Sequence, residues 1–69
     1  MKFSTRNQLR GTVQSITVGE AMVVVRVELD GGGMITSSVT RDAVDDLGLV
    51  PGSPVVAMIK STEVALAVE

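Results

Sequence analysis

Apolar residues alternate most cleanly between Ala21 and Leu29, where Val23, Val25, Val27 and Leu29 fall on one face and Arg26 and Glu28 on the other. A period of two over that length predicts a β-strand with one buried face. Met22 and Val24 share the charged face, so one end of it is expected to be covered. The preceding stretch, Leu9 to Val18, also reads as a strand, but its apolar positions change parity between Val13 and Ile16. One extra residue accounts for the change, so a β-bulge is expected near Gln14-Ser15. Gly19-Glu20 reads as the hairpin turn between these two strands.

Asp30-Gly31-Gly32-Gly33 is the strongest turn signal in the chain. A triple glycine could also cradle a phosphate, but no Gly-Lys-Ser/Thr follows and no helix opens after it, which favours a hairpin loop. Met34 to Val39, rich in β-branched and hydroxyl residues, is the third strand. Thr40 has the chemistry of a helix N-cap, Asp42 suits the first turn and Gly48 the C′ position, so a short helix is expected over residues 41–47. It would turn Ala43, Val44 and Leu47 inward and Asp45 and Asp46 outward. Leu49 to Pro54 reads as a turn with Pro51-Gly52 at its corner.

Val55 to Ile59 is apolar on both faces and Val64 to Val68 nearly so, the mark of strands covered from both sides. The order β-β-β-α-β-β predicts an all-β fold with one short helix: a small five-stranded, partly open Greek-key barrel of the oligonucleotide/oligosaccharide-binding type, as one domain over residues 1–69.

Composition bears on assembly and on chemistry. A chain of 69 residues buries a limited core, and such domains often need a further staple. There is no Cys for disulfides or thiolate metal sites and no His for imidazole chemistry, which leaves oligomerisation. Hydrophobic residues make up 45% of the chain, almost all aliphatic, with Phe3 the single aromatic. That excess is expected to be buried against copies of the same chain. No apolar run approaches the roughly 20 residues that span a bilayer, and the N-terminus lacks the apolar centre of a signal peptide, so a cytoplasmic location without membrane association is expected. A net charge of −2 and the lack of stacking aromatics argue against nucleic acid as a partner.

Two stretches concentrate polar chemistry. In Met58-Ile59-Lys60-Ser61-Thr62-Glu63 an apolar strand stops at a lysine followed by two hydroxyls, then runs into the next apolar stretch. A cation, hydroxyls and backbone N–H groups at a tight junction suit a tetrahedral anion. A polar turn with a solvated lysine would present the same residues. Ser4-Thr5-Arg6-Asn7-Gln8 holds two hydroxyls, a guanidinium and two amides in five positions. A solvated N-terminus would look alike.

Three pieces occur together in order: Ser4-Thr5-Arg6-Asn7-Gln8-Leu9-Arg10-Gly11, Ile35-Thr36-Ser37 leading to Thr40, and Ile59-Lys60-Ser61-Thr62-Glu63-Val64. In this combination the whole chain strongly resembles the molbindins, small molybdate-binding proteins. The resemblance implies a barrel assembled as a homohexamer, a trimer of dimers, with molybdate or tungstate held at subunit interfaces. By position it implies an oxyanion site made by Ser4, Arg6, Lys60 and Ser61, with Thr40 supplied by a neighbouring subunit. Many relatives have a serine where this chain has Ala43, so any contact from that hydroxyl is missing here.

The chemistry fits independently. A molybdate dianion offers four oxygens and no protons at neutral pH, so its site needs donors and a positive charge to offset desolvation. No acid/base pair accompanies these residues, and a stored oxyanion needs none. The expected function is therefore molybdenum storage and homeostasis rather than catalysis, without a bound structural metal. The alternative is a regulatory module that senses the oxyanion for a transporter or repressor in trans.

Overall fold

Three valines of the alternation over residues 21–29 and Val13 of the preceding strand form the core. In the computed structural model, which describes residues 4–69, Val13, Val23, Val25 and Val27 are between 1% and 5% exposed. Phe3 and the first two residues lie outside the described residues. Two long strands carry the core: β1 (Asn7–Val18) and β2 (Val23–Leu29). They pair antiparallel, with Val13 opposite Val27 and Val18 opposite Val23. The register shifts between Val13 and Ser15, so Gln14 is the extra residue of the expected bulge. The bulge lets Val13 and Ile16 both face the core despite their odd separation.

The hairpin turn is longer than expected. The Gly19 N–H donates to the Met22 carbonyl at 2.9 Å, which draws Ala21 and Met22 into the turn and delays β2 to Val23. After the glycine loop comes β3 (Met34–Val39), paired to the free side of β2. Helix α1 (Arg41–Leu47) follows, with Thr40 as N-cap, and Gly48 in the left-handed region at φ 62° that L side chains avoid. Val44 and Leu49 pack against the valine core, whereas Leu47, expected inward, is 70% exposed. Strand β4 (Pro54–Ile59) then returns to the free side of β1, Asn7 opposite Ile59 and Thr12 opposite Pro54. The turn before it is held to the middle of β1 by Gly52 N–H to the Val13 carbonyl (2.8 Å) and Val13 N–H to the Ser53 carbonyl (2.9 Å).

The strand order is β3-β2-β1-β4, the Greek-key arrangement, with all pairs antiparallel. The expected fifth strand is not formed. A single 3-10 turn over Ser61–Glu63 follows β4, and residues 64–69 continue outside any strand. Their apolar side chains, expected to be covered on both faces, are exposed; Leu66 and Val68 reach 93% and 98%. The reason is geometric: a strand is stable only when its N–H and C=O groups pair with a neighbour, and this tail pairs with neither edge of its own sheet. The sheet therefore stays open between β3 and β4. An apolar cleft of about 510 Å³ remains there, with Val25 and Val27 among its lining, Ile35 and Val39 from one edge and Val55 and Ile59 from the other. Among the described residues no helix is long and apolar enough to cross a membrane.

Gly11 sits where three strands crowd, opposite both Leu29 and Val55. A Cβ there would lie 2.5 Å from the Glu28 carbonyl oxygen and 2.8 Å from Val27 Cγ1, so backbone would have to move. Gly11→Ala is expected to destabilise the fold by about 1–3 kcal/mol, the usual cost of overpacking. Urea unfolding checks it: the midpoint should fall while the slope holds.

Candidate functional site

Asn7 and Ile59 form the last rung between β1 and β4. Because the strands are antiparallel, Ser4–Arg6 and Lys60–Ser61 leave the sheet at the same end, from adjacent strands. Two carboxamides fix this junction. Asn7 Nδ2 donates to the Ile59 carbonyl at 3.1 Å, tying the N-terminal segment to the residue before Lys60. Gln8 Nε2 donates back to the Thr5 carbonyl at 3.2 Å. On the other side, the Glu63 N–H donates to the Lys60 carbonyl at 2.9 Å, closing the turn that presents Ser61 and Thr62 directly after the lysine. Ser4, Arg6, Lys60 and Ser61 are all exposed.

Four of the five expected site residues are thus brought to one end of the sheet. Two of them are cations and two are hydroxyls that can donate. The positioning amides of Asn7 and Gln8 were not assigned a role from sequence, where a pair of adjacent carboxamides beside a basic residue was the only signal. Thr5, between Ser4 and Arg6, is half-buried, and its Oγ1 is shielded from water with no hydrogen-bond partner.

Thr40 is not brought to this group. It follows Val39, which pairs with Val23, which in turn pairs with Val18 at the far end of β1. The 12 residues of β1 separate its two ends. Thr40 Oγ1 accepts the Ala43 N–H at 3.1 Å as the helix cap. That bond uses a lone pair and leaves the hydroxyl proton free, so the same group can donate to an anion while capping α1. Ala43 adds only a methyl beside it.

Residues 4–66 match the TOBE domain family. The chain is 41% identical to molybdenum-pterin-binding protein 1 of Clostridium pasteurianum over 66 residues, 96% of this chain and 97% of that protein. The structure of a molybdate-binding protein from Sporomusa ovata superposes with a TM-score of 0.91 at 39% identity, covering 97% of this chain and 98% of that one. A crystal structure of the cytoplasmic molybdate-binding protein ModG, with molybdate bound, gives a TM-score of 0.94 at 45% identity, with all of this chain matched to 49% of that one.

Proposed function

Given that the chain belongs to the TOBE-domain family, in its molybdenum-pterin-binding (Mop) branch, we propose that it is a cytoplasmic molybdate- or tungstate-binding protein for molybdenum storage and homeostasis. The observation that carries this is the convergence of Ser4 and Arg6 with Lys60 and Ser61 at one end of the β1–β4 pair. Two cations and two hydroxyls there offer donors to an oxyanion, and the amide bonds of Asn7 and Gln8 hold their backbones in place. Thr40 completes the site from a second copy, because its own chain carries it to the far end of β1. The copies assemble as a homohexamer, a trimer of dimers, with the anions at their interfaces. The open cleft between β3 and β4 and the exposed apolar tail support self-association of this kind. Residues 1–69 act as one oxyanion-binding domain.

Isothermal titration with molybdate, tungstate, sulfate and phosphate tests the reading. Molybdate and tungstate are expected to bind in clear preference to phosphate. Phosphate keeps protons on its oxygens at neutral pH, and donors facing them go unpaired at about 1–3 kcal/mol each. Sulfate is fully deprotonated and differs chiefly in size, so its discrimination is expected to be smaller. Phosphate binding as tight as molybdate would overturn the donor-only site.

A further inference from the structure

Thr5 has a shielded hydroxyl oxygen with no partner, and among the described residues it is the one buried side-chain oxygen or nitrogen in that state. A hydroxyl taken out of water without a hydrogen bond loses its hydration and gains nothing in return, and native structures keep few such groups. A frayed terminus does not account for it. The Thr5 carbonyl accepts from Gln8 Nε2, and Asn7, two residues on, is clamped to Ile59. Valine has the same shape without the hydroxyl, and among the described residues all four buried hydrophobic side chains are valines.

The position of Thr5 gives the hydroxyl a use. It lies between Ser4 and Arg6, two residues before the last β1–β4 rung, Asn7 opposite Ile59, and Ser61 follows that rung by two residues on the adjacent strand. We propose that the Thr5 hydroxyl is a further ligand of this site, donating its proton to one oxygen of a bound tetrahedral dianion and standing unpaired when the anion is absent. This rests on the reading of the site as an oxyanion site. A group of this kind lowers stability in the empty protein and returns it on binding, because its desolvation has already taken place.

Thr5→Val, Thr5→Ser and the unaltered protein separate this from a structural role. Melting temperature with and without molybdate, molybdate affinity by calorimetry and mass by light scattering are measured for each. The valine variant is expected to melt higher than the unaltered protein without anion, to bind molybdate at least about fivefold more weakly, and to gain less from saturating molybdate. The serine variant, which keeps the hydroxyl, should bind within about twofold of the unaltered protein. A hydroxyl paired to a neighbouring copy would instead make Thr5→Val melt lower without anion, which overturns the proposal. Failure of both Thr5→Val and Thr5→Ala to fold overturns it as well. If Thr5→Val keeps full affinity while Lys60→Ala loses it, Thr5 leaves the site and the oxyanion reading stands. If the unaltered protein binds no molybdate, both fall.

Discussion

Lys60→Ala is expected to weaken molybdate binding by about 2–5 kcal/mol, well over tenfold, while the chain keeps its fold. The lysine follows β4 in an extended conformation (φ −64°, ψ 142°), immediately before the turn that carries Ser61. In the isolated chain it is exposed, and an exposed charge contributes little. The large effect is expected from the proposed assembly, in which a second copy covers the site. There the ammonium faces a partly desolvated dianion, and removing it leaves that charge uncompensated. If Lys60 were a solvated turn residue, its replacement would change stability by under ~0.5 kcal/mol and leave binding alone. Arg6→Ala should act like Lys60→Ala. Arg26→Ala is the control, since Arg26 is exposed on the outer face of β2, opposite Ser15 and Thr36. Calorimetric titration decides: unchanged affinity in Lys60→Ala, with assembly intact, removes the lysine from the site.

Deleting residues 64–69 is expected to collapse the assembly and abolish molybdate binding. The tail alternates Val64, Leu66 and Val68 with all three exposed, a strand pattern with no strand beside it. Two sheet edges, β3 and β4, also lack a partner in the chain. Burying three such side chains against a second copy is worth roughly 5–9 kcal/mol as an upper bound. Light scattering at micromolar concentration should give a hexamer for the full chain and a smaller species for the truncated one. A monomeric full chain would sink the assembly reading. A trimer would remove only the dimer step.

Features governed by neighbouring residues were legible in the sequence. The helix bounds follow from Thr40 and Gly48, whose side-chain cap and left-handed backbone are local properties. The bulge near Gln14 was visible as a slip in apolar parity, because parity is a strictly local consequence of the pleat. What escaped depended on distant partners. Val64 to Val68 has the composition of a strand, yet strand formation needs an edge to pair with, and composition does not say which copy supplies it. Leu47 was expected inward with Ala43 and Val44 as one face of the helix; beside the open cleft it stays exposed. At the site, residue types pointed to the Lys60-Ser61-Thr62 junction, and the resemblance to the molbindins added Ser4 and Arg6 by position. Their common end of the sheet, and the separation of Thr40 from it, follow only from the β1–β4 and β2–β3 registers. Thr5 was counted among the hydroxyls of its stretch but given no role, since shielding of one oxygen is a property of packing alone.

Four buried valines are a small core for a chain of 69 residues. In the proposed assembly, where copies finish one another's barrels, much of the apolar burial is intermolecular, so folding, association and ion occupancy become one linked equilibrium. Linkage runs both ways: an anion that binds the assembled form tightens assembly, and assembly tightens the anion by the same factor. The concentration of the protein then sets how firmly each ion is held. Such a reservoir fills more readily as it is made and loosens its hold as it is diluted.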